Sequence, residues 1–97
     1  MKTKKQKLQE RVEAGAAFLN VVRLGWWKEI NIKRLNLSLP NVCMLGELYG
    51  DYYEGALELG FDSESQTASA LGFRSEVDSH YPLLTELWKK KIKSLRL

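Results

Sequence analysis

The chain has 97 residues, of which 44% are hydrophobic and 10% aromatic, and a formal net charge of +3. This suits one domain with a modest core, is too apolar for a disordered polymer, and lacks the ~18-residue apolar run of a membrane span. One cysteine and one histidine exclude an internal disulfide and the usual zinc spacings.

The opening MKTKKQK is basic, and residues 1–11 carry Lys2, Lys4, Lys5, Lys7 and Arg11 against Glu10. The following LQERVEAGAAFL holds three charges, so it is no signal-peptide core and a cytoplasmic protein is expected. Leu8, Val12, Ala16, Leu19 and Val22 recur at helical steps, widened by Phe18 and Val21, which predicts a helix from about residue 5 to Leu24. Gly25 reads as its stop, with Trp26 folding back onto the last turn. Adjacent Trp26 and Trp27 would point about 100° apart on a helix, so one can be core and the other partly exposed. Trp27, beside the tyrosines of 49–53, is then a candidate interface anchor; the simpler reading is that both rings fill the core.

INIKRLNLSL, residues 30–39, alternates like a strand with one slip at Lys33-Arg34, but no second strand is evident. An extended connector whose leucines plug the core is expected, and pairing with a second copy is the alternative. In NVCMLGELYGDYYEGALEL, 41–59, a stripe of Leu45, Leu48, Tyr49, Tyr52, Ala56 and Leu59 is opposed by Gly46, Gly50 and Gly55, at about 1 kcal/mol each in a helix interior. Gly50 as a stop and Asp51-x-x-Glu54 as a capping box offer a break, but one continuous helix is the expectation. Gly46-x-x-x-Gly50 would admit a close helix neighbour, a weak motif in a soluble chain. On that helix Glu47, Asp51, Glu54 and Glu58 share one acidic face. It could hold a divalent ion or paired catalytic carboxylates, meet a basic partner, or simply be solvated, which is the plainer reading. Cys43 lies in an apolar stretch and reads as a buried thiol; nothing marks a Cys43–His80 nucleophilic pair.

Leu-Gly-Phe occurs twice, at 59–61 and 71–73. Each copy reads as a Leu in a last turn, a left-handed Gly and a Phe folding back, the Schellman ending. Asp62 or Ser63, with Ser63-x-x-Gln66 as a capping box, would start a short helix from about 64 to 71. In YPLLTELWKKKIKSLRL, Pro82 suits a first helical position and Leu84, Leu87, Trp88, Ile92 and Leu95 form the stripe. Lys89, Lys90, Lys91, Lys93 and Arg96 then suit the negative end of the helix dipole. The ends carry +4 and +5, leaving −6 on residues 12–88.

The expected fold is all-α: one domain over 1–97, four to five short helices, an irregular connector at about 25–40, and basic ends at 1–11 and 89–97. No phosphate loop, metal-ligand cluster or nucleophile motif appears, so a non-enzymatic protein without cofactor or metal is expected. The basic residues Lys4, Lys5, Lys7, Lys89, Lys90, Lys91 and Lys93 could be solvated, steer an acidic protein partner, or touch nucleic-acid backbone. With no helix-turn-helix, zinc knuckle or aromatic-interleaved basic stretch, nucleic-acid binding should be weak and nonspecific.

GWWKEI (25–30), LNLSLPNVCMLGELYGDYYEG (35–55), LGF (71–73) and YPLLTELW (81–88) together resemble a family of short proteins from actinobacterial phages and prophages. The family pattern is Gly-Trp-Trp, Leu-x-Leu-Ser, Cys-x-Leu-Gly-x-Leu-Tyr-Gly-x-Tyr and Leu-Thr-x-x-Trp, and the resemblance spans residues 11–92. The family has no assigned activity, so the resemblance implies a phage or prophage setting and nothing catalytic; with the cytoplasmic reading above, the expected location is the cytoplasm of a bacterial host. The expected role is an accessory protein that binds and modulates a host or phage protein, inhibition of a host or defence factor being one version. A small nucleic-acid-binding accessory protein using the basic ends is the alternative. Candidate contact residues are Trp27, Tyr49 and Tyr53, with Glu47, Asp51 and Glu54.

Overall fold

Thr3 opens the first helix: its hydroxyl accepts the Gln6 amide at 3.1 Å, and the Gln6 side chain accepts the Thr3 amide at 2.8 Å. The computed structural model describes residues 1–97, and in it α1 spans Lys4–Val22, burying Leu8, Val12, Gly15, Ala16 and Leu19. The buried face is narrower than predicted. Val21 is 85% exposed because, two residues beyond Leu19 at 100° each, it points away from the seam; Val22 in the last turn is exposed too. Gly25 turns left-handed (φ 79°), and Trp26 folds back into the core in a 3₁₀ turn, Trp26–Lys28, its indole N–H donating to Asn20 Oδ1 at 2.8 Å.

The connector contains no strand. Side-chain carbonyls of Asn31 and Asn36 accept nearby backbone amides and shape its turns. Ile30, Leu35 and Leu37 plug the core as predicted, while Leu39 is exposed. The Leu37 amide donates to the Thr85 hydroxyl at 3.0 Å, which pins the connector to the last helix.

Residues 41–59 form two helices, not the continuous one predicted. α2 spans Met44–Tyr49 and α3 spans Tyr52–Leu59. Gly50 is left-handed (φ 92°), and the Asp51 carboxylate caps α3 by accepting the Tyr53 and Glu54 amides at 2.9 and 3.2 Å. The break lets α3 fold back on α2, and Gly55 serves that contact: a Cβ there would lie 2.8 Å from Leu45 Cβ.

Both Leu-Gly-Phe copies end helices as predicted, with φ of 84° at Gly60 and 72° at Gly72. The Phe61 amide donates to the Ala56 carbonyl and the Phe73 amide to the Ala68 carbonyl, each at 3.1 Å, the long bond of the Schellman motif. The helix between them, α4 (Gln66–Ala70), starts later than predicted. Asp62 makes a turn by accepting the Glu64 amide, so Ser65 and not Asp62 or Ser63 becomes the cap, accepting the Ala68 amide at 3.2 Å. A Cβ on Gly60 meets nothing within 4 Å, whereas one on Gly72 lies 3.0 Å from the Arg11 carbonyl. Gly60→Ala should therefore cost about 1–2 kcal/mol of left-handed strain, and Gly72→Ala clearly more. Denaturant unfolding checks the order; equal or negligible losses would contradict it.

After a 3₁₀ turn at Asp78–His80, α5 spans Tyr81–Leu95 with Pro82 in its first turn and buries Leu84, Leu87, Trp88 and Ile92. It lies alongside α1 in the same direction: Lys4, Lys7, Leu8 and Arg11 gather near His80, and further along Glu13 pairs with Lys91 at 2.5 Å. One cluster of 19 buried residues joins α1, α2, α3, α5, the connector and Phe73. The radius of gyration, 12.1 Å, matches the roughly 12.5 Å expected of a compact chain this long.

Candidate binding surface

The break at Gly50 disperses the predicted acidic face. The Glu47 side chain is only 2% exposed; it accepts the Asn31 amide at 2.7 Å and Arg34 Nε and Nη2 at 3.0 and 2.9 Å. It is thus a clamp between α2 and the connector, not a surface acid. Asp51 is used as a helix cap, and Glu54 and Glu58 alone remain exposed. No three His, Cys, Asp or Glu side chains converge.

Cys43 is buried; its sulfur accepts the Gly46 amide at 3.3 Å and donates to the Pro40 carbonyl at 3.6 Å. His80 lies elsewhere, its Nδ1 3.5 Å from Ser75 Oγ. Burial pushes the Cys43 thiol up, and burial likewise pushes up the Tyr52 phenol, which donates to the Ser63 carbonyl. The folded chain therefore keeps these protons after the unfolded chain, with ordinary values near 9.0 and 10.0, has begun to release them. The unfolded state then binds fewer protons, so stability falls as pH rises past about 9. Denaturation midpoints from about pH 8 to 11 check this, and Tyr52→Phe should flatten the upper part of the fall; a constant midpoint would contradict it.

Trp26 is core and Trp27 only half-buried against it, so the two rings do not both fill the core as the simpler reading has it. The Lys28 ammonium lies 5.2 Å from the Trp27 ring centroid, and the Trp27 carbonyl accepts Arg96 Nε and Nη2 at 3.2 and 2.8 Å. Arg96 Nη2 also donates to the Ile30 carbonyl at 2.6 Å, so the C-terminal turn clasps the connector. Tyr49 is half-buried under the Arg23 guanidinium, 4.6 Å from its ring centroid, and Arg23 forks onto Glu29 at 3.0 and 2.9 Å. That hydrogen-bonded pair holds the Glu29 carboxyl below its ordinary range. Trp27 makes no ring pair with a tyrosine.

The basic ends are partly taken up by the fold. Lys91 pairs with Glu13, Lys2 with Glu10 at 2.6 Å, and Arg96 holds backbone carbonyls. Lys4, Lys5, Lys7, Lys89, Lys90 and Lys93 make no ion pair. Because α1 and α5 run in the same direction, the start of α1 and the end of α5 lie at opposite ends of the helix pair, and the two clusters do not merge.

Tyr53 alone of the candidate aromatics is open, 58% exposed, and Leu57 one turn later on α3 is 75% exposed. Tyr53 meets Tyr52 edge-on at 5.3 Å, at the rim of a cavity of about 180 Å³. Buried Leu37, Cys43 and Phe73 line that cavity together with Tyr52, Tyr81 and Arg74. Sequence reasoning missed Leu57 and Arg74. The signal for Leu57 was present: a large apolar residue beside Glu58 and off the apolar stripe of 45–59. Arg74 carried none, because the fold alone brings it to the connector and α3. No family model, curated protein or solved structure matches this chain.

Proposed function

We propose that the protein is a non-enzymatic binding protein that docks on another protein through the outer face of α3 and the cavity beside it. The observation that carries this reading is Tyr53 and Leu57, 58% and 75% exposed and one helical turn apart, Tyr53 standing at the cavity rim. A lone exposed leucine is ordinary, but an exposed aromatic beside it at a concavity is the composition of interface anchors. The resemblance to phage and prophage proteins supports a setting in a bacterial host, where binding would modulate a host or phage protein; inhibition of a defence factor is one form. The unpaired Lys4, Lys5 and Lys7 favour a second, weaker reading, nucleic-acid contact at the start of α1. Duplex DNA bound there should be released by roughly 200 mM salt.

Capture from a bacterial lysate tests the primary reading. A protein retained by the wild-type chain should be lost with Tyr53→Ser/Leu57→Ser, whose circular dichroism should match wild type. A partner retained equally by both, or one removed by nuclease, would contradict it.

A further inference from the structure

Residues 35–73 contain no Lys, Arg or His, yet carry Glu47, Asp51, Glu54, Glu58, Asp62 and Glu64. The fold uses two of these acids: Glu47 holds Arg34, and Asp51 caps α3. Glu54, Glu58, Asp62 and Glu64 are exposed and make no ion pair. Arg74 joins them at the cavity beside Tyr53, but Glu76 lies 3.7 Å from its Nη1.

The buried residues of α3 are Tyr52, Gly55 and Ala56. At about 100° per residue, Tyr53 and Leu57 form one row along the helix, and Glu54 and Glu58 form a second row about 100° further round. The buried side lies about 130° from each row, so both rows face outward. The exposed face of α3 is thus half apolar and half acidic, with no cation of its own. Glu64 lines the cavity at whose rim Tyr53 stands, so negative charge continues beyond the helix.

That charge selects the occupant. Nucleic acid and anionic lipid would bring phosphates against unpaired carboxylates, and like charges repel. A wholly apolar partner would cover Glu54 and Glu58 and remove their water without offering a counter-charge. A segment with an apolar row beside a row of Lys or Arg meets both halves. Helical i, i+4 spacing repeats such rows at the pitch α3 presents.

We propose that the outer face of α3 binds a basic amphipathic helix of a partner protein, its apolar row on Tyr53 and Leu57 and its Lys or Arg row against Glu54 and Glu58. This rests on the binding reading above and names the chemistry of the partner it requires.

The test titrates peptides of about 18 residues, long enough to hold a helix, into the full-length ¹⁵N-labelled chain. One carries a Leu row flanked by Lys, the second has Glu in place of Lys, and the third scrambles the first. The Lys peptide should bind and shift the Tyr53, Leu57 and Glu58 amide resonances. The other two should bind about tenfold more weakly or worse. Glu54→Gln/Glu58→Gln should weaken the Lys peptide about three- to tenfold, and salt raised from about 20 to 300 mM should narrow that gap. Equal affinity for the Lys peptide and either control, no binding by the Lys peptide, or duplex DNA shifting the α3 resonances would overturn the proposal. So would dilution shifting those resonances without peptide, which would seat a second copy there. The peptide comparison uses wild-type protein, so it decides even where a variant misfolds. Binding that needs Tyr53 and Leu57 but ignores peptide charge would overturn this inference alone; binding indifferent to Tyr53→Ser/Leu57→Ser would overturn the docking face itself.

Discussion

Trp88→Ala is expected to lower the unfolding free energy by about 3–5 kcal/mol, the range for emptying a buried aromatic site. Trp88 is wholly buried. It stacks on Phe73 (6.0 Å between centroids, 11°), meets Trp26 edge-on (5.8 Å, 90°), and donates its indole N–H to the Gly72 carbonyl at 2.7 Å. One side chain thus joins α5 to the 3₁₀ turn after α1 and to the stop after α4. A domain of this length has roughly 5–15 kcal/mol in total, so the variant should be largely unfolded or melt at least about 12 °C lower. Trp88→Phe keeps much of the ring contact but leaves the Gly72 carbonyl without its donor, and should cost about 1–3 kcal/mol. Thermal and urea unfolding measure both. A loss under about 1 kcal/mol for the alanine variant would mean that Trp88 does not bridge these elements.

Gly15→Ala reverses a usual rule. In an exposed helix interior the change would gain about 1 kcal/mol. Here Gly15 lies on the buried face of α1, and an added Cβ would sit 2.0 Å from the Leu71 carbonyl oxygen and 2.8 Å from the Trp88 ring. Overpacking of this kind costs about 1–3 kcal/mol, and backbone has less room to move than a flexible side chain. Net destabilisation with altered tryptophan fluorescence is expected; a more stable variant would show that α1 does not approach residue 71 so closely.

Much of this architecture is written in local chemistry. The stripes of α1 and α5, the stop at Gly25 and the two Schellman endings each depend on residues a few positions apart, so spacing and residue type revealed them. The stripe of 45–59 misled for a physical reason: α2 and α3 turn apolar faces to the same core, so the periodicity runs on across the break. Gly50-Asp51, a left-handed glycine followed by a capping carboxylate, outweighs that periodicity. Asp62 shifts the start of α4 in the same local way. What the sequence hid depends on distant pairing. Glu47 reads as a surface acid until Arg34 and the Asn31 amide, 13 and 16 residues away, fold over it. Lys91 and Arg96 read as a free basic tail until Glu13 and the Trp27 carbonyl receive them. Of the proposed binding surface, Tyr53 was legible; Leu37, Phe73 and Arg74, which line the cavity beside it, come from segments that meet only in the fold.

Photo-crosslinking tests the role of α3 most directly. A benzophenone side chain at position 57 is compared with one at position 21, where Val21 is as exposed but lies on α1. In a bacterial lysate, position 57 should give a discrete protein adduct that excess unlabelled wild-type chain suppresses, and position 21 should give none. Absence of an adduct from position 57, or the same adducts from both positions, would contradict a docking surface on α3.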